Sequence, residues 1–103
     1  MDTYVIRRPS GWANAQELEV TAAKSAKIGD TEMPERVRWI RTYVVREPDG
    51  RLGTYCVYQA RDVASLRELE RRVGMVGSDI HPVIDTVIVR PDPTPVGASA
   101  AGR

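Results

Sequence analysis

The pattern of hydrophobic and polar positions predicts a strand followed by a helix at the start of the chain. The β-forming residues 4–6 (YVI) are followed by the turn-forming residues 8–11 (RPSG), which end this strand. Asn14 and Glu17, three residues apart, form an N-terminal capping pattern. Apolar residues then recur at helical spacing up to a closing glycine, so a helix is predicted over residues 15–28.

Two long strands joined by a tight turn come next. Alternating residues at 36–47 predict one strand, 48–50 (PDG) predicts a turn, and 52–60 predicts a second strand, which together make a β-hairpin. The opposite faces of the first strand are both partly apolar, since one of them carries Ile40 and Val44. Strict alternation assigns the other face to Val37, Trp39, Arg41, Tyr43, Val45 and Glu47.

A second helix and a last strand complete the pattern. Asp62 is the predicted N-cap of this helix and Gly74 ends it, after which residues 83–90 (VIDTVIVR) are predicted to form the fourth strand. The order β-α-β-β-α-β is typical of the ferredoxin-like α+β fold, in which a four-stranded antiparallel sheet carries two helices on one face. A single domain is predicted over residues 1–90, and the Pro-, Ala- and Gly-rich residues 91–103 are predicted to be a disordered tail.

The sheet face opposite the helices would be exposed in a single copy of this fold. Its strands carry several large apolar residues, and exposed apolar patches mark interaction surfaces. Two copies packed sheet to sheet would bury these residues and enclose a partly apolar cavity. We therefore expect a homodimer of the dimeric α/β barrel type. The alternative is a monomer whose partly apolar sheet face stays exposed to solvent.

Composition narrows the function classes. The 103 residues are 42% hydrophobic and 28% charged, as expected for one globular domain. Fifteen Lys and Arg residues oppose fourteen Asp and Glu residues, and this balance does not favour nucleic-acid binding. No apolar stretch is long enough to cross a bilayer and no signal peptide is recognised, so a cytoplasmic protein without membrane contact is expected. The single cysteine and single histidine exclude an intrachain disulfide and a zinc site with four Cys or His ligands.

Four polar side chains within the predicted strands are candidates for catalysis. They are Arg41, Tyr43, Tyr58 and Asp85. If they converge in a cavity, they supply a cation, two hydroxyl groups and a carboxylate, which suffice for acid–base chemistry on an organic ligand. The alternative is structural, with an ion pair or solvated charges and with tyrosine rings in the core.

A second candidate site surrounds the only histidine. His81 precedes Pro82 at the predicted entrance to the fourth strand, and Asp79 lies two residues before it. Imidazole and carboxylate groups suit nickel, zinc or copper, and a dimer interface could bring matching groups from the second chain. The alternative is a surface histidine with no ligand role.

Two sequence blocks resemble a known family. Residues 37–44 (VRWIRTYV) and 54–60 (TYCVYQA) are similar to blocks in a family of small bacterial nickel-binding proteins with a ferredoxin-like fold. The resemblance covers roughly residues 3–90. It implies that fold, a dimer through the open sheet faces, and binding of nickel or a similar divalent ion.

This chain also departs from the family. Members often carry a histidine and a glutamate where this chain has Leu69 and Gln59. The resemblance therefore implies a metal site centred on His81, with carboxylates such as Asp79, Asp85 or Glu47.

Two functions remain open from the sequence. The first is a small homodimeric binding protein for nickel or a similar divalent ion. The second is a cofactor-independent enzyme, an isomerase, cyclase or small monooxygenase, that acts on an apolar organic substrate between the sheets of the dimer. The first requires a metal site that depends on His81, and the second requires a pocket for an organic ligand.

Overall fold

The protein, in a computed structural model that describes residues 1–75 and 78–93, has the predicted order of elements. Its sheet is four-stranded and antiparallel, in the order β2-β3-β1-β4, and this confirms the predicted ferredoxin-like α+β fold. The elements are β1 (Asp2–Trp12), α1 (Ala15–Glu32), β2 (Val37–Arg46), β3 (Leu52–Ala60), α2 (Val63–Val73) and β4 (Asp79–Pro82).

Both helices begin at the predicted capping residues. The Asn14 side chain accepts a hydrogen bond from the Glu17 amide at 2.9 Å, and the Asp62 side chain accepts one from the Ser65 amide at 2.8 Å. These bonds satisfy amides that have no partner within the helix. Gly74 ends α2 with a φ of 95°, a left-handed conformation that favours glycine. No helix in the described ranges is both long and apolar enough to span a membrane.

The core lies between the two helices and one face of the sheet, which we call the helix face. Burial of these aliphatic and aromatic side chains is the main stabilising contribution to the fold. The core residues are Tyr4, Ile6, Ile28, Met33, Val37, Cys56, Tyr58, Ala60, Leu66, Leu69 and Val73.

A β-bulge in β2 changes which of its side chains share a face. Trp39 pairs with Tyr58 and Arg41 pairs with Val57, so Ile40 is an additional residue opposite β3. Strict alternation placed Trp39 and Arg41 on the same face, and that prediction is wrong. Trp39 lies on the helix face, where its ring stacks on Tyr58 with 5.9 Å between the centroids.

The fourth strand also lies elsewhere than predicted. β4 spans Asp79–Pro82, whereas the prediction of a strand at 83–90 is wrong. The Val83 amide still donates to the carbonyl of Thr3 at 2.8 Å, but β1 begins one residue before Thr3. The chain that follows therefore has no strand of this sheet left to pair with.

Residues 83–93, which we call the C-terminal segment, form no strand of the sheet. Four of its β-forming side chains are strongly exposed: Ile84 by 96%, Val87 by 86%, Ile88 by 79% and Val89 by 77%. The predicted tail at 91–103 is described only as far as residue 93, and the remainder lies outside the described residues.

Candidate functional site on the open sheet face

The face of the sheet turned away from the helices, which we call the open face, carries the predicted metal ligands. Val5 and Arg7 alternate with buried residues of β1 and therefore point to the open face. His81 is paired with Val5, and Asp79 with Arg7. Since paired residues of antiparallel strands share a face, His81 and Asp79 lie together on the open face, and both are exposed.

Glu47, the third predicted metal ligand, is held by an ion pair on the same face. Its carboxylate lies 2.7 Å from the Arg7 guanidinium and accepts a hydrogen bond from the Ser10 amide at 3.2 Å. Arg7 in turn lies over the ring of Tyr55, 4.4 Å from the centroid, in a cation–π contact. The Glu47 carboxylate is therefore already engaged by Arg7 and the Ser10 amide.

A glycine makes this ion pair sterically possible. Any Cβ at Gly53 would collide with the Glu47 carboxylate and would lie 2.9 Å from the Arg8 carbonyl oxygen. Those atoms occupy the space that a side chain at position 53 would need.

A second polar cluster lies where the C-terminal segment meets β2. The Tyr43 hydroxyl donates to the Asp92 carboxylate at 2.6 Å, and Arg41 forms an ion pair with the same carboxylate. The hydrogen bond from Tyr43 and the charge of Arg41 hold the pKa of Asp92 below its usual range. The hydrogen bond to Tyr43 and the charge of Asp92 raise the pKa of Arg41.

Asp92 is the contact residue that sequence reasoning missed. It lies between two prolines in the stretch that composition assigned to the tail, and no periodicity connects it to β2. No feature of the sequence indicates that this carboxylate reaches Arg41 and Tyr43.

A groove of about 830 Å³ separates the C-terminal segment from the open face. Its floor includes Val5 and Val57, and the segment itself supplies Val87 and Val89 on the other side. The groove is therefore mainly aliphatic along its length and polar at the end where Asp92 meets Arg41 and Tyr43.

The predicted catalytic residues do not form one group. At the end of the groove, the Arg41 guanidinium donates a hydrogen bond to the Tyr43 hydroxyl oxygen at 3.5 Å. Tyr58 lies on the helix face instead, where its hydroxyl shares a hydrogen bond of 3.2 Å with Ser25 and burial raises its pKa to about 12. The Asp85 carboxylate accepts a hydrogen bond from the neighbouring Thr86 amide, in the exposed C-terminal segment.

The predicted metal ligands share a face but do not make a complete site in one chain. Across residues 1–75 and 78–93, no group of three or more His, Cys, Asp or Glu side chains is placed to hold an ion. His81 and Asp79 together supply one imidazole and one carboxylate. A divalent metal ion would need further ligands from outside this chain or from water.

Comparisons with known proteins agree with the fold. The chain is similar to SCO4226 from Streptomyces coelicolor A3(2), a crystal structure, with a TM-score of 0.62 and 15% sequence identity over 82% of this chain and 99% of that chain. At this identity the likeness concerns the fold alone. No curated protein matches the sequence.

The family model is more specific than the structural likeness. Residues 4–83 match the model described as nickel responsive protein SCO4226-like, which confirms the family resemblance of the two strand blocks. The matched range begins within β1, includes the other five elements and ends at the start of the C-terminal segment. The chain belongs to the nickel responsive protein SCO4226-like family.

Proposed function

We propose that the protein is a homodimer that binds nickel or a similar divalent ion between the open faces of its two copies, with His81 as the main ligand. The observation that carries this proposal is the placement of His81 and Asp79. They are exposed side by side on the open face, and they are too few to hold an ion alone.

The exposed apolar residues support pairing of two copies. Ile84 and Val87 in the C-terminal segment are almost fully exposed, and Tyr43 and Tyr55 on the open face are 47% and 41% exposed. Exposed apolar surface of this kind costs free energy in water, and burial against a second copy removes that cost. A two-fold axis would bring the same face of both copies together.

The chemistry of the ligands supports a metal ion between the copies. Two copies of His81 and Asp79 supply two imidazoles and two carboxylates, and water can complete the coordination. Imidazole nitrogen is a preferred ligand of nickel, which agrees with the name of the family. Glu47 is not needed in this arrangement and keeps its ion pair with Arg7.

The groove supports a second candidate, in which the open face binds an organic molecule. Arg41 and Tyr43 lie together at its polar end and can donate hydrogen bonds to a ligand in place of Asp92. Acid–base chemistry on that ligand would depend on these two side chains, because Tyr58 faces the opposite side of the sheet. Binding of this kind would not respond to a chelator.

Nickel titration of tag-free protein in a calorimeter tests the first candidate. The variants are His81→Ala and Asp79→Asn, and the matched control is Glu19→Gln, an exposed carboxylate of α1 on the other side of the sheet. We expect saturable binding in wild type and in the control, weaker binding in Asp79→Asn, and none in His81→Ala. Nickel binding that persists in His81→Ala would overturn the proposal.

Light scattering tests the dimer separately. The molar mass should be that of two chains in the presence of nickel, and the exposed apolar surface predicts association without the metal as well. A molar mass of one chain under both conditions would contradict the proposed assembly.

A further inference from the structure

The C-terminal segment crosses the open face from one edge of the sheet to the other. It leaves the sheet at Val83, whose amide donates to a carbonyl of β1, and it reaches β2 where the Asp92 carboxylate meets Arg41. β4 and β2 are the two edge strands, and β1 and β3 lie between them. The segment therefore lies over the same face that carries the proposed metal ligands.

The segment is longer than this crossing requires. Neighbouring strands are about 4.8 Å apart, so the crossing from β4 to β2 measures about 15 Å. The nine residues from 84 to 92 can extend over about 30 Å. This surplus length allows the segment to bow away from the sheet, and a groove of about 830 Å³ separates it from the face below.

A half-exposed ion pair holds the far end of the segment to its own copy. Asp92 and Arg41 each expose 51% of their side chains, and exposed ion pairs stabilise a structure only weakly. Residues 84–93 form no strand. The apolar side chains between the two ends of the segment, which include Ile84 and Val87, lie in water, and burial would lower their free energy.

The segment and a second copy of the chain compete for the open face. In the proposed homodimer the open faces of two copies pack together, and each of these faces is crossed by a segment. Packed sheets lie about 10 Å apart, so a segment that bows away from its own sheet enters the space of the other copy. When the two copies of His81 face each other, β2 of the second copy lies about 20 Å from the start of the segment, which is within its reach.

We propose that the two copies exchange their C-terminal segments, so that Asp92 of each copy pairs with Arg41 and Tyr43 of the other. This inference rests on the proposed dimer through the open faces. Exchange of an identical element is a low-cost route to a dimer, because the contact seen within one copy re-forms between two copies. It also places Ile84 and Val87 against the second copy. The family match ends where the segment begins, so the exchange is a property of this chain beyond the matched range.

Two charge-reversal variants of the full chain test the exchange. Arg41→Asp and Asp92→Arg each bring like charges together at both contacts of their own homodimer, whereas a mixed dimer has opposite charges at both contacts. Each variant alone should therefore dimerise more weakly than wild type. In native mass spectrometry of the equilibrated mixture, mixed dimers should outnumber the homodimers about fivefold or more.

A mixture of Arg41→Asp with Asp85→Arg is the matched control. Asp85 lies in the same segment, and among the described residues its carboxylate accepts a hydrogen bond only from the Thr86 amide. Each mixed dimer then has one like and one opposite pair, which is also the average of the two homodimers. Pairing in this mixture should therefore be random.

The outcomes separate the exchange from the proposed dimer itself. An excess of mixed dimers in the first mixture but not in the control supports the exchange, and thermal unfolding of each variant verifies that the fold is intact. Random pairing in the first mixture, or an excess in both mixtures, would overturn the exchange while wild type remains a dimer. Wild type that stays a single chain with and without nickel would overturn the proposed dimer and the exchange together.

Discussion

At the scale of single residues, Gly53 is the position where a side chain has no space. The Glu47 carboxylate occupies the place of its Cβ, and that carboxylate is paired with Arg7. Gly53→Ala should therefore displace Glu47 and lower the free energy of unfolding by about 1–3 kcal/mol. Denaturant unfolding measures this effect.

Gly11 offers a matched control for that substitution. Gly11 lies in β1, whereas Gly53 lies in β3, and nothing lies within 4 Å of a Cβ at position 11. Gly11→Ala should change the free energy of unfolding by less than about 0.5 kcal/mol. Equal losses in the two variants would mean that the close contact with Glu47 is not the cause.

Tyr58 gives a residue-scale prediction about alkaline pH. Burial raises the pKa of Tyr58 to about 12, whereas the pKa of the same phenol in the unfolded chain is about 10. The folded state therefore holds this proton more tightly. The contribution to stability is complete below pH ~10 and is lost as the pH rises towards ~12.

Tyr58→Phe tests that origin of the pH dependence. Free energies of unfolding measured at about pH 8 and about pH 11 should differ less in the variant than in wild type. The absorbance change of tyrosinate near pH ~12 should also disappear. An unchanged absorbance titration would show that another tyrosine is responsible.

At the scale of elements, the two helices were predictable because local chemistry specifies them. Asn14 and Asp62 cap α1 and α2 as expected from their side chains, and Gly74 ends α2 in a left-handed conformation. α1 nevertheless continues to Glu32, beyond the glycine at position 29 that was expected to end it. That glycine is buried inside the helix, where it packs near Val37.

The strands were less predictable because their limits depend on neighbours. The bulge at Ile40 arises from the register between β2 and β3, so alternation within β2 alone assigns Trp39 to the wrong face. Residues 83–90 have strong β propensity. Because β1 begins at Asp2, the chain after Val83 runs past the first residue of β1 and has no further part of that strand to pair with. Propensity describes a fit to a sheet and does not guarantee a partner strand.

The C-terminal segment carries a prediction about acid pH. The pKa of Asp92 is held below its usual range, chiefly by the hydrogen bond from Tyr43. The contact with Tyr43 and Arg41 is therefore present above pH ~4 and is lost as the pH falls through the lowered pKa. Backbone NMR relaxation of residues 84–92 should show more motion in acid and in Asp92→Asn at neutral pH.

Asp85→Asn is the control for that experiment. Asp85 lies in the same segment, and its carboxylate contacts only the adjacent Thr86 amide among the hydrogen bonds of the described residues. This variant should leave the relaxation of the segment close to that of wild type. If Asp92→Asn also leaves it unchanged, the contact with β2 does not hold the segment.

At the scale of the whole molecule, the two faces of one sheet have different chemistry. The helix face holds the core. The open face carries His81 and Asp79 together with apolar side chains, part of which lie opposite the C-terminal segment across the groove. The family match and the fold agree with what the sequence predicted. The proposed metal site requires a second copy of the chain, and the sequence of one chain does not specify how two copies pack.

The central claim is that two copies of the open face hold one metal ion through His81. Native mass spectrometry of tag-free protein loaded with nickel tests it most directly, because each chain has a single histidine. We expect a species of two chains and one nickel ion, which His81→Ala fails to form. A nickel ion retained by single chains, or by the variant, would show that two copies of His81 do not hold it.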